Sequence, residues 1–225
     1  KGFVGNYEAV VEQGESQFDL SIGAIIVATG AQELNAQGLY GYDGQRVITQ
    51  AELERVLDRD NGSLPASVAM IQCAGARTEE RPYCSRICCM TAVKNALRIK
   101  ESRPETQVYI LYRDMITLGT DYEALYREAR GKDVLFIAYS PDAPPTIEDG
   151  HVVVKAETLD QTLRIPAELT VLSTPLVGQT GASELAQMLK VPVDQHGFFL
   201  EAHVKLRPLD FSTDGIYLCG AAHWP

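Results

Sequence analysis

The chain has 225 residues, 45% apolar and 22% charged, without a low-complexity run: enough for one large α/β domain or two smaller ones, and not the composition of a disordered chain. Its net charge of −10 argues against a nucleic-acid or anionic-lipid surface, because both partners are themselves negative. The longest apolar stretch, Ile22 to Ala28, is far below membrane-spanning length, so no direct membrane insertion is expected.

In chain order, Phe3 to Glu12 and Gln17 to Ser21 alternate like a β-hairpin with its turn near Gln13-Gly14. Gly23 to Gly30 reads as a buried apolar strand ending in Thr29-Gly30. Thr49 with Glu52 three residues later is a capping box, predicting a helix over Gln50 to Leu57. A second cycle starts after the expected turn Asp60-Asn61-Gly62: strand Val68 to Gln72, a cysteine loop, and a helix from about Ser85 to Glu101. Further strands are predicted at Gln107–Tyr112, Val134–Ala138 and Leu169–Ser173, with a helix at Asp121–Arg130 and a β-meander over His151–Ala156 and Thr158–Ile165. A helix at Ala182–Leu189 and an apolar strand at Gly215–Cys219 close the chain. Alternating strands and helices imply α/β, Rossmann-type units. The abrupt start at Lys1 and stop at Pro225 lead us to expect a fragment of a longer protein. No secretory leader is recognisable, so a soluble, cytoplasmic protein is expected.

Five cysteines are present, four of them close together: Cys73, Cys84, Cys88 and Cys89. They fall between a strand end and a helix start, where a Rossmann unit normally holds its phosphate loop. Four thiolates are what a cubane iron–sulfur cluster needs, one per iron. Cys84 and Cys88 would share one helical face if the helix has begun by Cys84. The unpaired N–H groups of a helix start, together with Arg77, Arg81 and Arg86, would offset the negative charge, and Gly75 would permit close backbone approach. Spacing leaves other chemistry open. Structural zinc usually uses paired Cys-x2–4-Cys knuckles, and the adjacent pair Cys88-Cys89 suits one tetrahedral ion poorly. A thioredoxin-like Cys-x-x-Cys is absent, a vicinal disulfide is rare, and the thiols could simply be small buried groups. Cys219, within an apolar strand, is expected to be buried and inert.

The runs Ile71-Gln72-Cys73-Ala74-Gly75-Ala76-Arg77 and Pro82-Tyr83-Cys84-Ser85-Arg86-Ile87-Cys88-Cys89-Met90, followed by Lys94-x-Ala96-Leu97, resemble the cysteine motif in the A subunit of heterodisulfide reductase and its bacterial relatives, including subunits of the quinone-interacting membrane-bound oxidoreductase complex. Gly23 to Gly30, Gly197 to Pro208 and Thr213 to Pro225 extend the likeness across nearly the whole chain. The resemblance implies a 4Fe–4S cluster on Cys73, Cys84, Cys88 and Cys89. It implies a fold of the pyridine nucleotide-disulfide oxidoreductase type: a Rossmann-like three-layer domain at 66–174 carrying the cysteine motif, with incomplete FAD-domain segments at 1–50 and 175–225. It also implies an electron-transfer oxidoreductase working with other iron–sulfur or heterodisulfide reductase-like subunits, with a homodimer left open.

For the flavin, the resemblance points to Thr29 and Gly30, and to the run Asp214 to Ala222, similar to the second FAD motif. Many flavoprotein reductases carry Asp where this chain has Ala221, so contact would fall to the backbone N–H groups of Gly220, Ala221 and Ala222. No Gly-x-Gly-x-x-Gly occurs, and the family carries it upstream of a segment like this one. FAD is therefore expected in the full-length protein, with little tight binding by this segment alone. His203 and His223 are read as surface or hydrogen-bonded residues, Arg113 and Asp114 as solvated charges, and Tyr109, Tyr112 and Tyr126 as packing. No Ser-His-Asp order, His-Glu-x-x-His or Walker loop is found, and no catalytic residue is nominated. The rival from another class is a zinc- or thiol-stabilised, non-catalytic interaction module; a thiol–disulfide reductase is a third reading.

Overall fold

A computed structural model describes residues 1–59 and 64–225. The expected turn at Asp60-Asn61-Gly62 lies outside the described residues. The chain runs β1 (Gly2–Phe3), β2 (Asn6–Gln13), β3 (Ser16–Ile22), β4 (Ile25–Val27), β5 (Ala31–Glu33), β6 (Val47–Thr49) and α1 (Gln50–Asp58). Next come β7 (Ser67–Ile71), α2 (Cys88–Ser102), β8 (Gln107–Tyr112), α3 (Thr120–Gly131), β9 (Val134–Ala138), β10 (Thr146–Glu148) and β11 (His151–Ala156). The last elements are β12 (Gln161–Pro166), β13 (Leu169–Leu172), β14 (Leu176–Gly178), α4 (Ala182–Leu189) and β15 (Ile216–Leu218). Two compact units result: Leu34–Pro175, and the flanking stretches Lys1–Glu33 with Leu176–Pro225.

The 34–175 unit is a parallel five-stranded sheet in the order β6-β13-β7-β8-β9. Parallel sheets need cover on both faces, and alternation along β7 supplies side chains to each. Val68 and Met70 pack with Leu53, Val93 and Ile99 on the helical face, while Ala69 and Ile71 pack with Val152, Val154 and Ile165 of the antiparallel meander β10-β11-β12. The layers are therefore helices, parallel sheet and meander. The first meander strand, β10, is not evident in the sequence.

Helix α1 starts as its capping box predicts. Thr49 Oγ1 accepts from Glu52 N at 3.3 Å, and Thr49 N donates to Glu52 Oε2 at 2.8 Å. Helix α2 starts at Cys88, later than expected, because Arg86 holds φ 58, outside the right-handed helical region.

In the flanking unit, β2 and β3 form the expected hairpin, turning between Gln13 and Ser16, while Gly5 has φ +83 and separates β1 from β2. The expected strand Gly23–Gly30 shrinks to β4, which pairs in parallel with β15. It is only partly buried: Val27 is in the core and Ile25 half-buried, but Ile26 is 68% exposed, and among the described residues β4 and β15 form a two-stranded sheet. Cohesion comes instead from Phe199, Phe211, Ile216 and Leu218 packed against Ala182 and Ala186 of α4. Among the described residues, no helix is long and apolar enough to cross a membrane.

Candidate functional site

Strand β7 ends at Ile71, and Gln72 continues the ladder by donating its N–H to Leu111 O. The chain then turns sharply. Cys73 takes φ 59 and Gly75 φ +82, and a Cβ at Gly75 would meet Leu34 Cδ2 at 2.7 Å. Any side chain there would displace Leu34 or Leu39, so Gly75 is required by its positive φ and by these two leucines. Arg77 and Arg86 add two more left-handed residues before α2 begins.

Cys84 lies in the loop, not in a helix, so it does not share a helical face with Cys88. Its Sγ accepts from Arg86 N at 3.3 Å. Cys88 and Cys89 open α2, which no side chain caps, leaving its first amides available to negative charge. The Cys88 thiol donates to Thr174 O at 3.4 Å, and that of Cys89 to Asp114 O at 3.7 Å. All five cysteines are free thiols.

The thiols sense one another. Burial first, then Cys89, Cys73 and Cys84, push the Cys88 thiol up to about 12. Burial raises Cys89 to about 11, with Cys73 and Cys84 adding to it. Cys73 is raised chiefly by burial and is pulled back by the guanidinium of Arg77. In kind, the donor set suits an iron–sulfur cluster: four sulfurs at one end of a strand–helix unit, beside cations and an uncapped helix start. The side chains are not turned onto a common centre, however. Among the described residues, no group of three or more His, Cys, Asp or Glu side chains that could hold a metal ion is assembled.

Two residues expected to be solvated charges belong to this site. Asp114 pairs with Arg77 at 2.5 Å, and its carbonyl receives Cys89; Arg113 lies close enough to lower the Cys73 thiol and donates to Arg77 O at 3.3 Å. Their position directly after β8, the strand beside β7, is the signal that could have found them. Nothing in the sequence singles out Tyr139, whose hydroxyl donates to Gln72 O at 2.7 Å. Tyr112 and Tyr126 pack edge-on against Phe136, as expected of core aromatics.

The flavin candidates lie in the flanking unit. Because β4 and β15 run in parallel with Val27 opposite Leu218, Thr29 and Gly30 leave the same end of the pair as Gly220, Ala221 and Ala222. Cys219 N donates to Val27 O at 3.0 Å, and Gly30 and Gly220 both have positive φ. Asp214 precedes β15, at the opposite end, where its carbonyl accepts from Tyr7 OH. Cys219 is exposed, contrary to expectation, since it stands just past the short strand. His223 bonds Glu201 Oε2 at 2.7 Å.

No family model matches the chain. It is 36% identical over 95% of its length to the A subunit of the ferredoxin:CoB-CoM heterodisulfide reductase of Methanosarcina acetivorans, covering 32% of that protein. It is 36% identical, again over 95%, to the A subunit of the H(2):CoB-CoM heterodisulfide,ferredoxin reductase of Methanothermobacter marburgensis, covering 35% of it. For the A-type iron-sulfur subunit of the CoB–CoM heterodisulfide reductase of Methanocaldococcus jannaschii the identity is 37%, over 95% of this chain and 36% of that one. The chain thus spans about a third of the length of these curated relatives. Among solved structures, T. acidophilum thioredoxin reductase is similar with TM-score 0.56 and 16% identity, over 97% of this chain and 62% of that one. The flavoprotein disulfide reductase RclA of Escherichia coli gives TM-score 0.54 and 16% identity, over 98% of this chain and 44% of that one. The fold is that of the FAD-dependent pyridine nucleotide-disulfide oxidoreductases.

Proposed function

Because the chain belongs to the family of heterodisulfide reductase A subunits, we propose that it is part of an electron-transfer oxidoreductase in which Cys73, Cys84, Cys88 and Cys89 hold a 4Fe–4S cluster. The observation that supports this reading is that one loop, from the C-terminal end of β7 to the start of α2, carries all four cysteines, with Cys73 and Cys84 adding to the raised pKa of Cys88 and Cys89. When bound, such a cluster supplies one-electron exchange.

The chain's own residues hold and tune the site. The guanidinium of Arg77, fixed by Asp114, stands beside Cys73 and favours its thiolate; Arg113 adds positive charge from the neighbouring strand end. The backbone N–H of Cys88, at the uncapped start of α2, acts in the same direction on its own thiol, and that of Ile116 on Cys89. Burial disfavours the unliganded thiolates, so loading must release protons from these thiols. Thr174 O and Asp114 O accept those protons' hydrogen bonds only while the thiols are protonated. Ala74, Ala76 and Tyr83 are buried around the loop and limit water access.

In the whole protein, FAD would be met by Thr29 and Gly30 and by the backbone N–H groups of Gly220, Ala221 and Ala222. These share one end of a parallel strand pair, the end at which α/β sheets take ligands. Asp214, at the other end, would act by fixing the start of β15 through its contact with Tyr7. Electrons would pass between this flavin and partner iron–sulfur or heterodisulfide reductase-like subunits in the cytoplasm, with a homodimer compatible.

Anaerobic purification followed by metal analysis tests the cluster. The expected result is about four irons per site with broad absorption near ~400 nm, both lost in Cys84→Ser. Zinc without colour would support a non-catalytic interaction module instead, and metal-free protein with reversible oxidation of Cys88 and Cys89 a thiol–disulfide reductase.

A further inference from the structure

Beneath the cysteine loop lies a set of buried polar side chains that a sheet–helix core does not require. Gln50, the first residue of α1, is 4% exposed, Asn95 in α2 0%, and Ser173 just after β13 1%. The Gln50 amide donates from Nε2 to Ser173 Oγ at 3.1 Å and lies 3.6 Å from Met70 Sδ, while its Oε1 accepts from Asn95 Nδ2 at 2.8 Å. One side chain therefore joins residues 45 and 123 positions away along the chain.

Both of its partners reach the cysteines. Ser173 grips the segment that contains Cys73: its N–H donates to Ile71 O at 2.9 Å, and its carbonyl accepts from Ala74 N at 3.1 Å. The following carbonyl, Thr174 O, receives the Cys88 thiol. Asn95 stands about two turns along α2 from Cys88, on the same side of the helix. Apolar residues of the same volume would fill this layer equally well, and a buried polar network is worth keeping where it specifies a single arrangement.

We propose that Gln50 is a positioning residue for the cysteine centre, setting through Asn95 and Ser173 the separation between the Cys73 segment and the start of α2 that carries Cys88. The proposal rests on the cluster reading of those cysteines, but its geometric content concerns the thiols themselves. The hydrogen bonds of Gln50 go to Asn95, Ser173 and Met70 and not to the four cysteine sulfurs, so it acts through the two elements that bear them.

The test uses the intact protein, reduced and stripped of metal by a chelator, with iodoacetamide alkylation followed at each cysteine by peptide mass spectrometry. Gln50→Leu keeps the volume and removes the amide. Cys73 and Cys88 should then react about tenfold faster, the equivalent of one lost hydrogen bond, while exposed Cys219 keeps its rate. Ser173→Ala should reproduce the effect, and Ser173→Thr, which retains the hydroxyl, should restore the slower rates. Unchanged rates at Cys73 and Cys88, or an equal acceleration at all five cysteines, would overturn the proposal. If Gln50→Leu does not fold, the Ser173 pair decides alone. Iron analysis of the unaltered protein reads the parent claim separately: iron-free protein ends the cluster reading, while the alkylation contrast still decides whether Gln50 orders the thiols.

Discussion

The two units of this chain hold their apolar residues in different ways. In the 34–175 unit every residue of β7 is buried, and helices and meander between them cover both faces of the parallel sheet. In the flanking unit the parallel pair β4 and β15 leaves Ile26 68% and Tyr217 39% exposed, and the hairpin leaves Val10 and Phe18 56% and 47% exposed. A parallel sheet is stable only when covered on both faces, so the first unit draws its stability from its sheet. The second draws its own from the cluster around Phe199 and Phe211.

The strongest way to break this contrast is a matched pair of truncations followed by denaturant unfolding. Leu53→Ala, at a fully buried position in the 34–175 unit, should cost about 2–5 kcal/mol. Ile26→Ala should stay within about 0.5 kcal/mol. Equal losses would mean that Ile26 is covered in the protein and that the contrast is wrong. A smaller effect sharpens the account of how the first unit is assembled: Thr49→Ala removes the α1 cap and should cost about 1 kcal/mol by the same measurement.

The smallest effect concerns the approach to β6. The Asp43 carboxylate accepts from Val47, Gln45 and Arg46 N–H groups at 2.9, 2.8 and 2.8 Å, and these bonds, led by that of Val47, hold its pKa below the usual carboxylate value. With the folded value depressed, the stabilisation is present above the unfolded value of about 3.9 and is lost as pH falls through the folded one. Asp43→Asn should therefore flatten the acid limb of a stability-versus-pH curve below about pH 4. A steeper limb in the variant would contradict the assignment.

The same contrast decides how much can be read from the residues alone. Val68–Ile71, Gln107–Tyr112 and Leu169–Leu172 are continuous apolar or β-branched runs because both faces of their sheet are covered, and they emerge as strands within a residue of where the pattern puts them. Helices α1 and α4 are equally legible, the first from its capping box. The run Gly23–Gly30 has the same composition but a different fate, since burial depends on what packs against it and, among the described residues, β15 is the one strand paired with it. The late start of α2 turns on the backbone angle of Arg86, which its identity does not announce. At the candidate site, four cysteines close together in the sequence mark the loop, while their spacing leaves its chemistry open. Arg113, Asp114, Gln50 and Ser173 do not, because their contacts join segments far apart in the chain.

The left-handed turn at Cys73 has a practical consequence. An ordinary L side chain resists that conformation, and glycine adopts it freely. Ease of folding and retention of the sulfur therefore pull in opposite directions at this one position. Replacing Cys73 by glycine should leave a more heat-resistant chain than replacing it by alanine, since alanine keeps the steric penalty and glycine removes it. Anyone redesigning the loop for robustness has more freedom at Arg86, where the same backbone angle occurs without a thiol to preserve.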